Sequence, residues 1–127
     1  MTNSESADKG QTGTDRAGTQ SQMRKGVLEL CILSILSQGD AYPTEIIDKL
    51  KDTKLVVVEG TLYPLLTRLK NTGLLGYRWE ESTSGPPRKY YRLTETGEQY
   101  LKELQLAWQE LVDTVNKTIE LGKNYNI

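Results

Sequence analysis

Histidine and phenylalanine are absent from the 127-residue chain, and Cys31 is its single cysteine. Without histidine there is no Ser–His or Cys–His pair for nucleophilic catalysis. With one cysteine there is no intrachain disulfide, zinc cluster or iron–sulfur centre. Cys31 lies inside an apolar run, the setting of a small buried hydrophobe rather than of a reactive thiolate. No glycine-rich phosphate loop occurs. The acid pair Glu80-Glu81 sits in a polar stretch flanked by serine and glycine, which reads as a solvated loop rather than an acid/base pair. Together these absences argue against an enzyme and leave no cofactor or metal to expect. A continuous apolar run of 18 residues is also missing, and the N-terminus lacks the apolar centre of a signal peptide, so the expected compartment is the cytoplasm.

Leucine, isoleucine and valine, with seven tyrosines and two tryptophans, must therefore build the core, which the length limits to one modest domain. Residues 1–22 are serine, threonine, glycine, glutamine and charge with almost nothing apolar, the composition of a disordered tail. Residues 23–37 are apolar almost all round, which predicts a helix buried on several sides, ended by Gln38-Gly39-Asp40. Pro43 suits the first position of a second helix, whose inward stripe is Ile46, Ile47 and Leu50. The β-branched run Leu55-Val56-Val57-Val58 predicts a short strand.

The most informative stretch follows. Leu62, Leu65, Leu66 and Leu69 keep the i, i+3, i+4, i+7 spacing of a helix over about 60–72, and Gly73 stops it. Its other face carries Thr61, Tyr63, Pro64, Thr67, Arg68 and Asn71, and no acid occurs between Glu59 and Glu80. Hydroxyls, an amide and a cation without a carboxylate suit a surface lying against phosphates and base edges. Beyond it Leu75, Tyr77 and Trp79 alternate on one strand, Tyr91 and Leu93 on another, with the turn-rich segment 81–87 between them. This is a β-hairpin over about 75–93, with Arg88, Lys89 and Arg92 at or beside its tip.

Thr94 is a good N-cap for a final helix, with Glu95 and Glu98 near its positive end and Gly122 as the predicted stop. Leu101, Leu104, Trp108, Leu111 and Val115 alternate steps of three and four, a coiled-coil seam. So long a helix has little of its own molecule to pack on, and a second copy is the economical partner.

Charge divides along the same line. Residues 60–94 hold six cations and two acids, a balance of +4, whereas residues 95–122 hold two cations and six acids, a balance of −4. Only the first segment suits a polyanion. The order helix, helix, short strand, helix, hairpin, long helix is a mainly α (α+β) winged helix-turn-helix with a long C-terminal dimerisation helix. The expected division is a tail over 1–22, a DNA-binding domain over 23–94, the dimerisation helix over 95–122 and a second tail over 123–127. In this geometry the third helix enters the major groove of double-stranded DNA, and a dimer reads two half-sites about one turn apart. The other reading is a winged-helix module that contacts a protein through the same hydroxyl-rich helix.

Three motifs carry a resemblance. Gly39-Asp40-x-Tyr42, the run Glu59-Gly60-Thr61-Leu62-Tyr63-Pro64-Leu65-Leu66-x-Arg68-Leu69, and Arg88-Lys89-Tyr90-Tyr91-Arg92-Leu93-Thr94-Glu95-x-Gly97 resemble the PadR-like transcriptional regulators over about 23–122. The single helix after the hairpin is similar to that of the short subfamily, including its multidrug-responsive members. The resemblance implies a repressor that binds an operator as a homodimer and is released by a small molecule or stress signal. Two departures stand out. Gly85-Pro86-Pro87 replaces a tip that in many relatives has glycines and a further cation, and Val112, with Asp113 beside it, stands where multidrug-binding relatives can carry an acid.

The candidate DNA contacts are Thr44, Thr61, Tyr63, Pro64, Thr67, Arg68, Arg88 and Lys89; the bland reading of each is a solvated helix face or a charged hairpin edge. Leu30, Leu101, Leu104, Trp108, Leu111 and Val115 are candidates for the dimer seam. Trp108 is either interface core or, facing its copy across a hollow, a wall of a slot for a flat aromatic effector.

Overall fold

The structure is a computed structural model that describes residues 23, 24 and 26–125. The expected tail over 1–22 lies outside the described residues. The elements are α1 (Leu28–Leu36), α2 (Pro43–Asp52), α3 (Glu59–Asn71), β1 (Leu75–Glu80), β2 (Arg88–Leu93) and α4 (Glu95–Tyr125). No described helix is long and apolar enough to cross a membrane.

α1 is apolar almost all round, Glu29 and Ser34 apart, because it has several neighbours: it packs against α2, α4 and β2. Ile32, Leu33 and Leu36 are its buried face, and they meet Ile46 and Leu50 of α2 and Leu62, Leu66 and Leu69 of α3. The helix begins at Leu28 rather than at residue 23, because a turn at Gly26-Val27 interrupts the run. Pro43 opens α2 as expected, and the half-buried Glu45 carboxylate accepts the Tyr42 backbone N–H at 3.1 Å, satisfying one orphan donor of that terminus.

The expected strand over 55–58 does not form. Val57 is buried while Val56 and Val58 are exposed, but among the described residues no strand pairs with this segment to complete a ladder. The position at the edge of the hairpin goes instead to Ala41, which exchanges backbone hydrogen bonds of 3.1 and 2.8 Å with Tyr91. High β-propensity describes what fits a pleated surface; it cannot supply the partner.

Pro64 is the sixth residue of α3, one step past the first turn, and the carbonyl that loses its donor belongs to Gly60. Gly73 ends α3 with φ +84°, and the N–H of Leu74 reaches back to the Leu69 carbonyl at 3.0 Å. The antiparallel hairpin pairs Leu75 with Leu93, Tyr77 with Tyr91 and Trp79 with Lys89 on one face. The Thr94 hydroxyl accepts the Gly97 N–H at 3.0 Å and donates to the Gly73 carbonyl at 2.7 Å, so one cap ties the end of α3 to the start of α4.

α4 runs past the predicted stop at Gly122 and continues to Tyr125, 31 residues and about 46 Å. A lone glycine costs a helix about 1 kcal/mol and terminates it only where a left-handed residue is required, which nothing here demands. Only the first turns of α4 pack on the chain: Leu101 is buried and Leu104 half-buried, whereas beyond residue 104 only Val112, among the residues up to 124, is half-buried.

Candidate nucleic-acid interface

Two sides of α3 open onto two different hollows, and the candidate residues divide between them. Toward the hairpin, Thr44 and Tyr63 line a hollow of about 460 Å3 with Arg88, Lys89, Tyr42 and Trp79. α2 supplies Thr44 from its first turn, α3 supplies Tyr63, and β2 brings in the two cations. Four of the eight candidate contacts, drawn from three elements, thus meet in one place. Toward α4, Thr61, Pro64 and Arg68 line a hollow of about 700 Å3 together with Glu29, Tyr100 and Trp108. Thr67 lies exposed between the two sets.

The cations differ in what they are doing. Arg68 pairs with Glu29 of α1, which also receives the Tyr100 hydroxyl at 3.5 Å. Burial, and then the Glu29 charge, push the Tyr100 phenol above its ordinary range, so it stays the protonated donor in this contact. Arg78 pairs with Asp40 at 3.1 Å and Glu80 at 3.4 Å. Among the described residues Arg88 and Lys89 have no carboxylate partner. They rest on aromatic faces instead, Arg88 at 4.5 Å from the Tyr42 ring centre and Lys89 at 4.2 Å from that of Tyr77. A ring holds a cation in place without neutralising it, so both charges remain available to an anion.

Aromatic contacts stiffen the hairpin around these cations. Tyr42 and Tyr90 meet edge to face at 5.1 Å, Arg78 lies 4.8 Å from the Tyr90 ring centre, and Lys70 of α3 lies 5.4 Å from that of Tyr77. Glu29, Tyr42, Tyr77 and Trp79 are the participants that motif reasoning missed. Glu29 had a signal: a charged residue inside an apolar helical run is rarely buried without a partner. Trp79 had only its alternation, which places it on the inward face without saying where that face leaves the core.

The seam candidates fall in a graded series. Leu101 belongs to the core of its own chain. Leu30, Leu104, Trp108 and Leu111 line the 700 Å3 hollow, and Trp108, Leu111 and Val115 line a second one of about 720 Å3 with Met23 and Val27. Burial raises the Cys31 thiol above its ordinary value, in keeping with a packing role. Among the described residues no group of three or more acids or cysteines could hold a metal ion.

Comparison with known proteins places this geometry. Residues 32–103 match the transcriptional regulator PadR-like family. The chain is 62% identical to a PadR-like transcription factor from Bacteroides fragilis, covering 78% of this chain and 96% of that one with a TM-score of 0.67. It is 36% identical to a PadR family transcriptional regulator from Eggerthella lenta, over 82% and 91% of the two chains, with a TM-score of 0.77. Bacillus subtilis PadR, solved in complex with operator DNA, is 26% identical over 62% of this chain and 45% of its own, with a TM-score of 0.58.

Proposed function

Because the chain belongs to the PadR-like family of transcriptional regulators, we propose that it represses transcription by binding a double-stranded DNA operator as a homodimer. α3 lies in the major groove, the hairpin follows the backbone, and the exposed length of α4 joins two copies so that their α3 helices meet successive turns of the duplex. One observation carries the reading: Tyr63, Thr44, Arg88 and Lys89, from three elements, converge on one hollow whose cations have no carboxylate partner among the described residues. The Bacillus subtilis relative bound to operator DNA supports the same partner.

Release follows from the seam. A flat aromatic effector held by Trp108 that prefers a splayed dimer withdraws the two α3 helices from register, by no more than its differential affinity for the two states. Arg68, held by Glu29 in the hollow that also contains Trp108, reads the groove when that pair opens.

Salt titration of the complex with a duplex selected from genomic fragments tests the reading. The logarithm of the binding constant falls by about 0.9 per neutralised phosphate for each decade of salt, so Arg88→Ala in both copies lowers the slope by about 2. Wild-type binding that ignores salt, or retention of no duplex at low salt, replaces this reading with a protein-contacting module. An operator affinity unchanged by aromatics that demonstrably bind removes the effector.

A further inference from the structure

The inward face of the hairpin does not end where the core ends. Along β1 it carries Leu75, Tyr77 and Trp79, whose exposures rise from 2% to 41% to 62% toward the tip. Leu75 is core and Lys70 of α3 lies over the Tyr77 ring, but Trp79 lines the hollow that Tyr63 also lines. The ring is fixed there. It meets Tyr77 edge to face at 6.4 Å, and the ammonium of Lys89, its cross-strand partner, lies 5.6 Å from its centre. A large exposed aromatic beside cations that have no carboxylate partner among the described residues has the composition of a recognition surface.

We infer that Trp79 is a DNA-contacting residue: one strand of the operator passes between α3 and the hairpin, with a deoxyribose packed on the indole and the flanking phosphate on Lys89. The inference rests on the DNA-binding reading and adds a residue that reading does not contain. The occupant follows from complementarity. A DNA strand alternates apolar sugar with anionic phosphate, and here an uncharged ring stands beside Lys89 in a hollow that Arg88 and Tyr63 also line. The acids of the tip do not line that side; Glu80 and Glu81 border a separate hollow with Trp79, Pro86 and Pro87. The strand therefore approaches Trp79 from the α3 side.

The test uses the full chain labelled with 5-fluorotryptophan, whose two 19F resonances are assigned with Trp79→Phe. Adding the duplex recovered from genomic selection is expected to shift the Trp79 resonance. Trp79→Ala is expected to weaken that duplex about 10- to 100-fold with the salt slope unchanged, because no phosphate contact is lost, and Trp79→Phe to retain most of the affinity. A Trp79 resonance that keeps its free position at saturating DNA overturns the inference in the unmutated protein, whatever the variants do. So does a natively folded Trp79→Ala chain with wild-type affinity, or one whose salt slope drops, which would make Trp79 a support for Lys89 instead. If the wild type retains no duplex at low salt, the DNA-binding reading fails and takes this one with it.

Discussion

The head, residues 28–104, and the rest of α4 are built on opposite terms. In the head, three helices and a hairpin bury Ile32, Leu33, Ile46, Leu62 and Leu66 completely, and every element has neighbours within the chain. In the stalk, Leu111, Val115 and Ile119 stand exposed, and of residues 105–124 only Val112 is half-buried. Both regions are patterned with leucine and valine at helical spacing, so the pattern alone does not say whether a stripe is buried; topology does. An isolated helix of some twenty residues is marginal in water, and its apolar stripe becomes stabilising only against a partner. The contrast teaches that the head buries its apolar pattern within one chain, whereas the stalk leaves its own exposed.

The comparison breaks most visibly in the head. Leu66→Ala, at a site with no exposure, is expected to lower the unfolding free energy by about 3 kcal/mol, measured by urea denaturation. The pair Leu111→Ala and Val115→Ala removes more side chain than Leu66→Ala, yet at concentrations where the chain is monomeric it should leave unfolding within about 0.5 kcal/mol of wild type, because both positions are exposed. Its effect belongs in sedimentation, as a weaker dimer. Equal losses in both variants at high dilution would mean that the stalk folds back on the head.

The junction between the regions is next. A Cβ on Gly97 would lie inside the contact distance of the Leu74 carbonyl oxygen, a backbone atom that cannot step aside, with the Leu93 side chain 3.1 Å away. Gly97→Ala therefore pushes the first turn of α4 off the hairpin base, at a cost of about 1–3 kcal/mol, and loosens the Thr94 cap that ties α3 to α4. Reduced hydrogen-exchange protection in the first turn of α4 and at Leu74 checks this. An unchanged protection pattern would show that the approach is less tight than drawn.

The same contrast explains what the sequence made legible. Helical spacing at Leu62, Leu66 and Leu69, the proline at the start of α2, the threonine cap and the alternation in the hairpin are local signals, and the elements they define stand where expected. What stayed hidden depends on partners distant in the chain. The strand over 55–58 is missing because Ala41 occupies the edge beside Tyr91, a choice between two short segments that no local propensity decides. Arg68 appears in the sequence as a free cation, but its partner Glu29 stands 39 residues away in a run that reads as pure core. Tyr63 and Arg88 are 25 positions apart, and only the fold of the hairpin over α3 brings them to one hollow.

The smallest effect sharpens the comparison at the far end of the stalk. Gly122 has the composition of a helix stop, yet the helix passes through it, and a Cβ added there meets nothing within 4 Å. Its φ is not in the left-handed region, so alanine can take its place without strain. Gly122→Ala is therefore expected to stabilise by about 0.5–1 kcal/mol, through the lower helical cost of alanine and a less frayed end, visible as a small gain in helical circular dichroism. The same substitution at Gly97 destabilises. Opposite signs for one chemical change, 25 residues apart on a single helix, would locate the boundary between its packed and unpacked lengths; a loss of helicity at Gly122 would instead mean that this glycine faces a close neighbour in a second copy of the chain.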